Sequence, residues 1–346
     1  MKHNLKGTSL AQMRQLMTDH GHAPYRGDQI FQWIWQKHAH GFTVMTNLSK
    51  DIRVLFAEQY RICGLTVSDT ISSQDGAVKY MMTTEDNHTI ETVFITEEKR
   101  TTVCVSTQVG CPLNCSFCAT GLMGFTRNLR AYEIADQVRT VQEKTGARIT
   151  NIVLMGMGEP LLNVQEVLAA LEICCAPNGL GISQRHTTLS TAGIIDGMKT
   201  LLASSLKVKL AVSLNFPDVK MRTQMMPVTK SNPLAEVLNL ARAYSIRKSM
   251  VTFEYVLIDR INDRIQDARL LLRLIKGIRS KINLIPYNPH PRLPYRRPDE
   301  ARIARFHEYL LDSPHTVTLR RSKGQEIMAA CGQLCHLLVH STEAVS

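Results

Sequence analysis

The chain has 346 residues, 44% of them hydrophobic, enough for one or two domains around a sizeable core and too apolar for a disordered chain. No uncharged apolar run reaches the roughly 18 residues that cross a bilayer. The opening Met1-Lys2-His3-Asn4-Leu5-Lys6 lacks a signal-peptide core, so a cytoplasmic location is expected. A formal net charge of +11 favours a polyanionic partner, and nine clustered cysteines suit metal ligation in a reducing compartment better than a disulfide framework.

Residues 1–60 read as a small helical accessory domain. Thr8 and Ser9 can cap a helix running through Asp19, and Ser49 a third helix over 51–58. Between them Gly27-Asp28 opens a helix in which Ile30, Trp33 and Ile34 mark one buried face. Interspersed Lys and Arg suit docking onto RNA, with plain packing the competing role.

From residue 66 to 107 the hydrophobic period becomes two. Gln74-Asp75-Gly76 and Glu85-Asp86-Asn87 are turn signals separating runs at 78–82 and 89–95, an antiparallel extension over 61–100. The next run, 102–106, delivers the chain to Cys111-Pro112-Leu113-Asn114-Cys115-Ser116-Phe117-Cys118. Three thiolates spaced C-x3-C-x2-C can hold three corners of an iron–sulfur cubane, whose fourth iron is then left to a non-protein ligand. A structural zinc site usually takes four ligands in paired C-x2-C units, and no second pair stands nearby.

Beyond Cys118 strand and helix alternate. Strands are expected at 151–155, 186–190, 208–213, 252–257, 282–285 and 316–319, with helices such as 131–143 and 234–244 between them. About six such units predict an α/β fold, a partial (β/α)6 barrel whose ligands gather at the C-terminal ends of the strands. Five prolines between Pro286 and Pro298 forbid regular structure there. At the expected rim stand Met155-Gly156-Met157-Gly158-Glu159-Pro160, whose glycines permit close backbone approach to a ligand and whose Glu159 can accept from an ammonium. Ser190 and Ser213-Leu214-Asn215 end the next two strands.

The cysteine spacing resembles the radical S-adenosylmethionine (SAM) superfamily. Cys104-Val105-Ser106-Thr107-Gln108-Val109-Gly110-Cys111, Gly124-Phe125-Thr126-Arg127-Asn128-Leu129, Lys281-Ile282-Asn283-Leu284-Ile285-Pro286-Tyr287-Asn288 and Ala330-Cys331-Gly332-Gln333-Leu334 sharpen it. Together with the Glu159 motif they resemble the RlmN/Cfr family of RNA adenine methyltransferases over nearly the whole chain. The resemblance implies a radical SAM core over 101–340, a [4Fe-4S] cluster on Cys111, Cys115 and Cys118, and two SAM molecules per turnover. It implies SAM contacts at Gly158, Glu159, Ser190, Ser213, Leu214, Asn215 and Asn288. Asn215 stands where many RlmN members carry histidine. The implied substrate is an adenine of 23S rRNA, in some members also an anticodon-loop adenine of tRNA. A monomer served by a donor such as flavodoxin or ferredoxin, with no membrane attachment, completes the picture.

The implied chemistry explains these residue types. C2 of adenine is electrophilic and cannot displace a methyl group from SAM as an amine would. In the family's mechanism Cys331 takes a methyl group from one SAM, and a radical derived from a second abstracts hydrogen from it. The methylene radical adds to the ring, and Cys104 resolves the adduct, leaving a Cys104–Cys331 disulfide. Glu91 matches a proton acceptor of the family.

Several residues also have bland readings. A cysteine in a strand is often a small core hydrophobe, and Cys63, Cys174, Cys175 and Cys335 are read that way, although Cys335, one helical turn past Cys331, could also form a competing disulfide. Phosphate contacts are expected among Arg127 and Arg130, Arg242 with Arg247 and Lys248, Arg292 with Arg296 and Arg297, and Arg320-Arg321 with Lys323. The rival functions are Cfr-type C8 methylation and a non-catalytic RNA-binding protein with a structural cluster.

Overall fold

A computed structural model describes residues 2–335, so the last five residues of the expected core segment, 336–340, lie outside it. Three helices open the chain: α1 Leu10–Asp19, α2 Tyr25–Trp35 and α3 Lys50–Gln59. Ser9 and Gln12 form a reciprocal capping box on α1, and Ser49 accepts from the Ile52 N–H to cap α3, as their side chains allow. Helix α2 starts two residues before the expected Gly27-Asp28 opening. Gly27 sits inside it because a Cβ there would come within 2.6 Å of the Met13 carbonyl oxygen, and its absence lets α2 lie against α1.

A ten-stranded sheet follows with its strands in chain order: β1 Thr66–Ser72, β2 Ala77–Thr83, β3 Thr89–Glu97, β4 Arg100–Cys104, β5 Asn151–Leu154, β6 Thr187–Thr191, β7 Lys209–Ser213, β8 Val251–Leu257, β9 Ser280–Pro286 and β10 Thr316–Leu319. Strands β1 to β4 pair antiparallel, and β4 to β10 pair parallel. The six strands after β4 fall where the sequence pattern puts them. They are legible because runs such as Leu210-Ala211-Val212 are buried on both faces, as in sheets covered by helices. Helices between them include α4 Ala131–Thr145, α5 Val164–Cys175, α6 Ile195–Ala203 and α7 Val219–Met225. Pro286 closes β9 rather than lying wholly outside it: the partner strand β10 pairs only as far as Leu284, so the missing proline N–H leaves no ladder bond broken.

The N-terminal segment is fastened to the barrel through a buried charge cluster. Lys6 donates to Asp136 of α4 at 2.6 Å, and Arg139 reaches the same carboxylate at 2.5 Å. The other Asp136 oxygen accepts from the Leu65 N–H at 2.7 Å. A side chain at Gly64 would collide with both Asp136 and Lys6.

Candidate active site

The cluster loop leaves a short ladder, Gln108–Gly110 against Phe125–Asn128. Gly110 has φ +76°, and a Cβ there would lie 2.0 Å from the Gly124 carbonyl oxygen. Inside the loop the Cys118 N–H donates to the Cys115 carbonyl at 3.1 Å, so the chain curls back on itself. The three thiols stand close enough that each ionised sulfur disfavours its neighbours. Burial pushes Cys111 up to about 12 and Cys115 well above the ordinary thiol range, so a strongly cationic partner is needed to hold them as thiolates. A cubane binds each thiolate to a different iron, and three soft sulfur donors on one loop fit it.

The loops after β5, β6 and β7 ring this site. Buried Glu159 accepts from the Leu161 N–H at 3.0 Å and the Ala192 N–H at 2.8 Å. The Thr191 side chain also hydrogen-bonds this carboxylate, so about one of its four lone-pair sites is left for a ligand. Gly156 and Gly158 serve the protein itself: a Cβ on Gly156 would lie 2.7 Å from the Val105 backbone, and one on Gly158 2.5 Å from Gln108. Ser190 and Ser213 are half-buried and Leu214 fully buried. Asn215 adopts φ +53° and commits its side-chain oxygen to the Val256 N–H at 3.0 Å. Arg222, unmarked by any motif, is buried and ties the strand ends together through the carbonyls of Ala192, Ser213 and Leu214. Asn288 donates to the Cys331 carbonyl at 3.1 Å, and its buried Oδ1 has no hydrogen-bond partner among the described residues.

Cys104 and Cys331, 227 positions apart in sequence, line one narrow cleft together with Arg320. Cys104 ends β4, paired with Val93 on one side and Val153 on the other, so it faces the barrel interior with both. Cys331 belongs to a non-helical segment, which removes the helical spacing expected between it and buried Cys335. Backbone acceptors at Gly332 and Leu334 take hydrogen bonds from the Ala119 N–H and Thr120 hydroxyl, both 2.8 Å, docking the segment on the cluster loop. Both cysteines are thiols. Burial pushes Cys104 up to about 12, with neighbouring Cys331 adding to this and Arg320 opposing it.

Arg320 is therefore no surface phosphate contact. Its guanidinium is held charged chiefly by Cys331, then by Glu254 and Cys104. Glu254, buried on β8, accepts from the Asn283 side chain at 2.8 Å. Burial raises its carboxyl, with Arg320 and Asn283 pulling the other way. The sequence offered no signal for this Arg320–Glu254–Asn283 chain beyond the alternation that puts Glu254 and Asn283 opposite each other on adjacent strands.

Glu91 is fully buried on β3, 3.1 Å from Lys79 of β2. Burial raises its carboxyl, and Lys79 opposes this. Lys79 also reaches the Met328 carbonyl at 3.4 Å, and the Ser106 hydroxyl donates to the Glu91 carbonyl at 2.6 Å. Glu91 is thus wired to the strand below the cluster and to the Cys331 segment. Of the other expected phosphate contacts, Arg127 is locked by paired hydrogen bonds to both Asp86 and Glu133. Lys323 caps Thr96, and Lys248 reaches the Ser204 carbonyl. Arg130, Arg292, Arg296 and Arg321 remain exposed.

Comparison with known proteins agrees with this geometry. The family model described as the radical SAM superfamily matches residues 105–272, and that of the ribosomal RNA large subunit methyltransferase N-terminal domain matches 3–62. A dual-specificity RNA methyltransferase RlmN from Desulfosudis oleivorans is 44% identical, spanning 95% of this chain and 90% of its own length. The Geobacter sulfurreducens RlmN is 43% identical over 96% of this chain and 91% of its own. The chain belongs to the RlmN family. A crystal structure of a radical SAM methyltransferase from Sphaerobacter thermophilus superposes with a TM-score of 0.90 at 39% identity, covering 96% of this chain and 98% of that one. As a member of the RlmN family the chain is a radical SAM methyltransferase whose cofactors are a [4Fe-4S] cluster and SAM. No described helix is long and apolar enough to cross a membrane.

Proposed function

We propose that the chain methylates C2 of an adenine in 23S rRNA, with an anticodon-loop adenine of tRNA as a second substrate, through an S-methylated Cys331. The observation that carries this reading is the convergence of Cys104 and Cys331 on one cleft beside the cluster loop. When bound, the cluster and two SAM molecules supply a methyl group and a carbon-centred radical. Cys111, Cys115 and Cys118 hold the cluster, and Glu159 and Asn288 offer the open acceptor sites that orient SAM. Cys331 carries the carbon to the ring, with Arg320 balancing the negative charge of its thiolate. Cys104 then assists release of the adduct, its sulfur ending in a disulfide with Cys331. Glu91, kept beside Lys79, takes up the ring proton.

The same reading places the protein in the cytoplasm as a monomer reduced by a flavodoxin or ferredoxin. Nucleoside analysis of RNA treated with the reconstituted enzyme tests it: 2-methyladenosine is expected. With 8-methyladenosine as the main product, C8 would be the target, and unmodified RNA would leave only binding.

A further inference from the structure

The ends of the parallel strands opposite the cluster frame a second cleft of about 670 Å³. It is built from the starts of β4, β5 and β7 and the turn before β6, and its lining contains Lys99, Arg100, Arg148, His186 and Lys209 but no carboxylate. All five are exposed. Arg100 is paired with Glu97, whereas Lys99, Arg148 and Lys209 take part in no ion pair among the described residues. Burial lowers the Lys209 ammonium, and the nearby cations Lys281 and Arg100 lower it further. Such crowding costs folding free energy that a bound polyanion would recover. The cleft also adjoins the helical N-terminal domain, whose Gln36 donates to Pro177 and whose His40 meets Glu143 at 2.6 Å, next to cleft residue Gln142.

We infer that this cleft is a second RNA-docking surface, which grips phosphates of a large RNA remote from the target adenine. This rests on the proposed RNA methyltransferase reading and extends it. Strands of four to seven residues separate the cleft from the cluster, roughly 13–23 Å at about 3.3 Å per residue. That span suits a folded RNA lying along the barrel wall. It disfavours an acidic electron-donor protein, which must approach the cluster itself.

The test compares reconstituted wild-type enzyme with a K99Q/R148Q/K209Q variant on two RNAs, a short hairpin bearing the target adenine and a long domain-sized 23S fragment. Hairpin methylation should stay within about twofold. On the long fragment KM should rise on the order of tenfold with kcat unchanged, and the salt dependence of its binding should flatten by about two to three logarithmic units per decade of salt. Arg148→Lys alone should behave as wild type, because a phosphate contact needs only the charge. Equal losses on both RNAs, unchanged binding of the long fragment, or a loss confined to reduction by flavodoxin would each overturn the inference. If wild type methylates neither RNA, the functional reading fails, while filter retention of the long fragment still decides the cleft.

Discussion

The two ends of the parallel strands are built on opposite principles. At the C-terminal ends ionisable groups are buried and answered: Glu254 by Asn283 and Arg320, Glu91 by Lys79, Glu159 by two backbone amides. At the N-terminal ends Lys99, Arg148 and Lys209 stand exposed and unanswered. Radical chemistry needs groups fixed before the substrate arrives, because each reorganisation adds to the barrel's catalytic barrier. Holding a large polyanion needs only charge that adapts to wherever the phosphates fall. Substitutions at the two ends should therefore differ in kind.

The largest effects belong to the paired cysteines. Cys331→Ala should stop the reaction before any carbon reaches RNA. Cys104→Ala should stall after carbon–carbon bond formation, with protein tethered to RNA through Cys331. On a denaturing gel of protein made in cells, RNase-sensitive slow-migrating protein is expected for Cys104→Ala and none for the double variant. Untethered protein or normal turnover from Cys104→Ala would reduce Cys104 to a packing residue.

Next comes the docking of the N-terminal segment, which shares the buried-and-answered design. Asp136→Asn leaves Lys6 and Arg139 buried without their anion, a loss of about 3–5 kcal/mol measurable by urea unfolding. Burial works against the Asp136 charge, yet Lys6 and Arg139 prevail and hold its carboxyl below the ordinary range. Stability from this group is complete above the unfolded value, near 4, and is lost as pH falls through the depressed folded value. Acid unfolding of wild type should show this loss and Asp136→Asn should not.

Arg320 tests whether preorganised charge matters at the cleft. Arg320→Met should slow methylation of Cys331, followed by intact-protein mass, on the order of a hundredfold, the scale seen when one fixed donor is removed from a reacting centre. Arg320→Lys should restore part of the rate. A purely structural Arg320 would lower the melting temperature and leave the loading rate alone.

The sequence was most readable where local pattern decides structure. The strands from Asn151 to Leu319 announce themselves as short buried runs, and Ser9 and Ser49 as caps, because each signal lies within a few residues of its consequence. The cysteine loop was readable for the same reason. Partners distant in sequence were not. Arg127 looked like a phosphate contact because Asp86 lies 41 positions away, and Arg320 because the strands carrying Glu254 and Asn283 meet it only in the folded sheet. Lys6 meeting Asp136 across 130 positions belongs to the same class. Charge in a sequence says that a partner is needed; topology decides whether the partner is a neighbouring carboxylate or another molecule.

The smallest effect is the most discriminating for the open end. Lys209→Gln removes a cation disfavoured first by partial burial and then by Lys281 and Arg100, and Lys209 has no ion pair among the described residues, so the change relieves more than it costs. Stability should change by no more than about 0.5 kcal/mol, in the stabilising direction. Because the folded protein holds this ammonium below its ordinary value, the protonated form carries a folding cost that is fully present below the folded pKa. That cost fades as pH rises toward the unfolded value near 10.5. Wild type should thus gain slightly on Lys209→Gln at neutral pH, and the difference should vanish in alkaline melts. A destabilised Lys209→Gln would mean that the lysine already has a protein partner, and the contrast between the two ends of the strands would fail at that residue.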